Sequence, residues 1–222
     1  MYSDRTNSEL IKILDQHSLL TFEAQLSLQD ELQKRTVVVD LSGLETTIAN
    51  KLAQINNLEF LKDFGFQANK TADGLTVTRT TKALLTDVLA VIVGLLVFFL
   101  GIYGCINLAY TFINGDELDV FTLAYKFAMA SLVFIGISFF SGLKRLFDFY
   151  GFELRKMNGL VSLKKRFDVK LEEVKVNPSD IHLDTNEDIL SLKLGYDTIF
   201  TSNGGNLIQT LTLKELAKEL KA

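Results

Sequence analysis

Two long apolar runs, Leu84–Leu108 and Val120–Leu143, restrict what this chain can fold into more than any other feature. The first carries one charged residue, Asp87, near its start. The second also carries one, Lys126, again near its start. At about 1.5 Å per residue, a helix of either length can cross a ~30 Å hydrocarbon core with some tilt. Only Ile113–Asp119 and a few preceding residues are left to turn the chain between them. The two helices are therefore expected to be antiparallel neighbours. A buried hairpin in a soluble protein would rarely be this long with so few charges.

Charge sets the expected orientation. Lys70, Arg79 and Lys82 precede the first run, and Lys144, Arg145, Arg155 and Lys156 follow the second. The connecting loop Asn114–Asp119 has no lysine or arginine. The positive-inside rule then places both termini in the cytoplasm, with the chain multi-pass in a cell inner membrane. The polar start, Met1–Thr6, has no apolar segment for a cleavable signal, so the first run is expected to act as the insertion signal. A net charge of −4 gives nucleic acid no global electrostatic attraction. The one cysteine, Cys105, lies in the first run, so no disulfide within the chain can form.

The flanks divide into segments. Residues 1–41 read as a helical hairpin module, with a capping box at Thr6-Asn7-Ser8-Glu9 and a second helix capped by Thr21. Leu10, Ile13, Leu14 and His17 share one face of the first helix; Phe22, Leu26, Gln29 and Leu32 share one face of the second. This module is either a small structural cap or a docking module for a partner. Val37–Leu41 is a linker or short strand. Residues 42–82 open on a second capping-box pattern, Ser42–Glu45. An amphipathic stripe of Leu44, Ile48, Leu52 and Ile55 follows. A short helix then ends at Gly65, and a β-hairpin turns at Asp73-Gly74. Residues 83–145 hold the two spans.

Residues 146–222 form an α+β domain. Gly151–Met157 leads through Asn158-Gly159 into Leu160–Lys164, a second hairpin like the one before the spans. The two hairpins could pair into one sheet. Strands follow at 169–176, 181–183, 189–194 and 198–201, broken by Pro178. The chain ends in a helix read as capped by Thr212, with Leu213, Leu216, Ala217 and Leu220 on its apolar face. Gly151–Lys156 with Asn158-Gly159-Leu160 resembles the opening hairpin of bacterial pleckstrin-homology-like domains, which often follow a pair of transmembrane helices. The likeness covers about 15 residues. The region 151–222 is shorter than that fold, which needs seven strands and a helix, and no functional residue is carried over from it.

No catalytic, cofactor or metal set emerges. Asp180, His182 and Asp184 would share a strand face, but acids crowd many polar turns. Asn203–Asn206 lacks the lysine of a phosphate loop, and its helix is expected several residues later. Phe64, Phe66, Phe147, Phe149 and Phe152 read as an apolar cluster beside the membrane. Within the spans, Asp87 is expected to sit near Lys82 and Arg79. Lys126 is expected to reach towards Asp116, Glu117 or Asp119. Gly94, Gly101, Gly104 and Cys105 on the first span are small. Ala124, Ala128, Ser131, Ser138 and Gly142 on the second are small too. Small residues allow close approach within the hairpin or between chains.

The sequence thus predicts a membrane α+β protein: a two-helix transmembrane hairpin flanked by a cytoplasmic N-terminal helical module and a C-terminal β-rich domain. Its expected role is non-enzymatic, in a bacterial inner membrane, among membrane lipids. The cytoplasmic modules would bind a protein partner or assemble into a membrane complex. The alternative is a homo-oligomeric pore or transporter subunit.

Overall fold

The computed structural model describes residues 1–114, 119–167 and 170–222, apart from the side chains of Phe140, Ser141 and Phe167. It mixes helix and sheet, and two of its helices are long and apolar enough to cross a membrane. Residues 115–118, on which most of the expected turn falls, and the start of the strand read at 169–176 lie outside the described residues. The chain divides into two compact units. The first holds Met1–Val77, Arg155–Ser162 and Lys175–Ala222; the second holds Thr78–Leu154 and Leu163–Val174.

In the first unit, α1 (Asn7–Leu14) starts on the capping box read from the sequence. Thr6 accepts from Glu9 N–H, and the Glu9 carboxylate accepts from Thr6 N–H at 2.8 Å. That second bond holds the Glu9 carboxyl below its usual range. α2 (Phe22–Lys34) is capped by Thr21. Its buried face is Phe22, Ala24, Gln25, Leu28 and Leu32, not the expected line through Leu26 and Gln29. Gln25 can be buried because its amide donates to His17 O at 2.7 Å and accepts from Lys51. α3 (Ser42–Asn56) buries Leu44, Ile48 and Ile55, while Leu52 stays outside. Its expected capping box does not form. Leu41 takes the cap position, and Asp40 accepts from Ser42 N–H instead. Val37–Leu41 is loop, not strand.

The last helix, α7 (Leu207–Lys221), packs on α2 and α3. It begins five residues before the expected cap. Asn206 accepts from Gln209 N–H, and Thr212 lies buried inside the helix, bonded to Ile208 O. Leu207, Ile208 and Leu211 therefore join the core of Leu10, Leu28, Leu32 and Leu44, while Leu213, Leu216, Ala217 and Leu220 are buried as expected. Arg35 fastens the N-terminal residues, donating to the carbonyls of Ser3 at 2.7 Å and Tyr2 at 3.3 Å.

Strands β1 (Phe66–Thr71), β2 (Gly74–Arg79), β3 (Glu153–Met157), β4 (Leu160–Phe167) and β5 (Lys170–Val176) are hydrogen-bonded side by side in chain order. The hairpins before and after the spans thus share one sheet through β2 and β3. The approach is close: a Cβ on Gly74 would run into the Lys156 carbonyl. Asn158 and Gly159 both have positive φ, as a two-residue type I′ turn requires. The remaining strands, β6 (Ile181–Asn186), β7 (Ile189–Leu194) and β8 (Asp197–Thr201), form a separate antiparallel sheet. α7 packs against β6 and β7. Phe66 meets Phe200 edge-on, with centroids 4.9 Å apart.

The second unit is organised on α4 (Thr81–Asn114), which at 1.5 Å per residue is about 51 Å long. It exceeds the expected Leu84–Leu108 at both ends. α5 (Val120–Ser138) runs back along it. The second span was expected to continue to Leu143; the helix breaks at Phe139 and resumes as α6 (Phe140–Phe149). Many large apolar side chains of α4 and α5 are widely exposed: Phe99 is 62% exposed and Phe134 76%. Water would penalise that surface at about 25 cal/mol per Å².

Candidate functional site

The buried residues of α4 are Asp87, Gly94, Gly101, Gly104 and Thr111. Asp87, Gly94 and Gly101 are seven residues apart, as are Gly104 and Thr111. Such spacing keeps them on one seam of a helix that follows a partner. The partner is α5 and its continuation. A Cβ on Gly94 would lie 2.6 Å from Phe139 Cβ, one on Gly101 would overlap Val133 backbone, and one on Gly104 would lie 2.6 Å from Met129 backbone. From the other side, Gly136 faces Phe98 and Gly142 faces Ala90. Backbones meet because side chains are missing, which allows the dispersion contact that holds helices together in lipid.

The small residues of α5 named from the sequence lie elsewhere. Ala124, Ala128, Ser131 and Ser138 are exposed, away from this seam. Ser131 and Ser138 return their hydroxyl protons to Ala128 O and Ile135 O of their own helix. Cys105 is also exposed, its sulfur 3.8 Å from Ala130 O.

Each end of the seam carries charge. At the strand end, Asp87 is 4% exposed and accepts from Arg79 Nη2 at 2.6 Å. Arg145 brings a second guanidinium to 3.6 Å. Lys82, expected beside Asp87, points to solvent, and Arg145 takes that place. Arg79 also lies over the Phe149 ring, 5.1 Å from its centroid. A carboxylate so buried needs a close cation, because burying an ion alone costs several kcal/mol, of order 3–5 when one partner is removed.

At the loop end, Lys126 donates to the hydroxyl of Thr111 on α4. Thr111 in turn donates to Asn107 O at 2.9 Å. Of the expected acceptors for Lys126, Asp116 and Glu117 lie outside the described residues, and Asp119 forms no ion pair with it. The sequence reading missed Thr111 and Arg145. For Thr111, the signal was its seven-residue step from Gly104.

The other candidates do not converge. Among the described residues, no group of three His, Cys, Asp or Glu could hold a metal. His182 Nδ1 lies 3.1 Å from Asp180 O, and Asp184 is paired with Lys193, whose hydrogen bond holds its carboxyl below the ordinary range. His17 sits 2.9 Å from Leu14 O. The helix after Asn203–Asn206 starts at once, at Leu207, rather than several residues on. Of the five phenylalanines, Phe64 and Phe66 pack on Phe200, Phe149 packs on Phe152, and Phe147 is half exposed. Comparison of the chain with known protein families, with curated proteins and with solved structures gives no match.

Proposed function

We propose that this chain is a non-enzymatic, two-span protein of a bacterial inner membrane. Both termini would lie in the cytoplasm, and the modules they carry would bind a protein partner and hold it in a membrane complex. One observation carries this reading. The buried polar side chains among the described residues, Gln25, Asp87, Thr111, Ser202 and Thr212, are all committed to structural partners. Gln25 and Thr212 bond backbone carbonyls, and Ser202 accepts from Leu190 N–H at 2.9 Å. Asp87 takes Arg79, and Thr111 joins Lys126 to Asn107. An active site keeps such groups turned towards a cavity, with their ionisation tuned for chemistry. Here they brace helices and strand ends, as a scaffold requires.

The test is composition in mild detergent. Crosslinking in intact membranes, followed by purification and mass measurement, should give a species heavier than the 24.9 kDa chain containing a second protein in fixed ratio. A species made only of copies of this chain, conducting ions in a bilayer, would favour the pore subunit. A lone monomer would contradict both.

A further inference from the structure

Asp87 and Lys126 are both charged residues on the helix seam, but their surroundings differ. Asp87 is neutralised by arginines. Lys126 forms no ion pair among the described residues, and its one hydrogen bond goes to Thr111. The Thr111 proton is already given to Asn107 O, so the hydroxyl offers Lys126 only a lone pair. That contact fixes the position of the ammonium without cancelling its charge. Among the described residues, two of the three ammonium protons have no acceptor.

A cleft opens beside this ammonium, lined by Tyr103, Gly104, Asn107, Tyr125, Lys126 and Met129. Its floor is apolar, and its polar groups are hydrogen-bond donors: ammonium, carboxamide and two phenols. Lys126 is six residues into α5, roughly 9 Å along its axis, and Thr111 is three residues from the end of α4. Tyr103, Tyr110 and Tyr125 are each at least 60% exposed on this part of the helices. Exposed tyrosines on apolar helices mark headgroup depth.

We propose that this cleft binds the phosphate of an anionic phospholipid in the leaflet on the loop side. Lys126 supplies the charge. Asn107 and the hydroxyls of Tyr103 and Tyr125 donate to the phosphate oxygens, and the start of an acyl chain lies against Met129. A lipid fits better than a soluble anion because the cleft is set among side chains that need hydrocarbon around them. The proposal rests on the helices crossing a bilayer. Recovery of the wild-type chain in carbonate-washed membranes checks that first and separately.

The experiment uses the full chain, purified, stripped of lipid and titrated with phosphatidylglycerol or phosphatidylcholine of the same acyl chains. Native mass spectrometry counts bound lipid. The wild type should take up one phosphatidylglycerol at lower concentration than phosphatidylcholine. Lys126→Met should raise the phosphatidylglycerol concentration needed by about tenfold, the worth of one charge-assisted hydrogen bond. Its phosphatidylcholine uptake should fall less, because the choline cation already offsets the phosphate charge, and Lys126→Arg should retain the preference. If Lys126→Met does not survive extraction, Asn107→Leu and Tyr125→Phe carry the test, each weakening the preference. Equal uptake of the two lipids by the wild type would overturn the proposal. So would a preference that survives these substitutions, or displacement of the lipid by millimolar inorganic phosphate.

Discussion

Replacing Gly101 by leucine should lower the stability of the helix hairpin by about 3 kcal/mol or more, at the upper end of overpacking effects. The reason is what the new side chain meets. Even a Cβ at Gly101 overlaps the backbone of Val133 and lies 2.7 Å from the carbonyl carbon of Leu132. A side-chain neighbour could rotate away, but a helix backbone can yield only by moving the whole helix. Doubling the change with Gly94→Leu should leave little folded chain in the membrane. Ala128→Leu is the control. Ala128 is exposed, so its change should shift stability by no more than about 0.5 kcal/mol. Denaturant titration in bicelles, followed by circular dichroism, reads both. Equal stability of Gly101→Leu and wild type would show that these glycines do not meet α5.

The second large effect is expected at Asp87. Asp87→Ala should cost about 3–5 kcal/mol, because it leaves the Arg79 guanidinium buried without its carboxylate. The Arg79 side chain is only 7% exposed and cannot easily turn to water. Arg145 is different: its side chain is 60% exposed, so Arg145→Gln should cost under about 1 kcal/mol. Joint replacement of Arg79 by Met and Asp87 by Leu should recover much of the loss. A double-mutant cycle with no coupling between Arg79 and Asp87 would show that the pair adds nothing to the fold.

The sequence was legible where one local signal had no competitor. Long charge-poor runs marked both helices, and Thr6 with Glu9 marked the start of α1. The residue pair Asn158-Gly159 marked a tight turn, since positive φ at two successive residues suits few others. It misled where two signals competed. Thr212 followed by Glu215 copies a capping box, yet Asn206 starts the helix because Leu207, Ile208 and Leu211 extend its apolar face into the core. Gln25 is buried because its amide donates to His17 O, a partner that helix periodicity does not show.

At the candidate site, residue size identified small residues but not the face they occupy. Gly94, Gly101 and Gly104 meet α5, whereas Ala128, Ser131 and Ser138 point outward. Seven-residue spacing held the missing information, since it links the glycines to Asp87 at one end and Thr111 at the other. Arg145 could not be assigned to Asp87 from sequence, because only the packing of α6 on α4 brings it there.

We propose that α4 and the α5–α6 helix cross a bilayer and leave both termini on the cytoplasmic side. The most direct test fuses a reporter, active only outside the cytoplasm, after Asn114 in one chain and after Ala222 in another. The Asn114 fusion should be active and the Ala222 fusion silent, with both chains retained in carbonate-washed membranes. Activity only at Ala222, or silence at both positions with the chains released from the membrane, would contradict it.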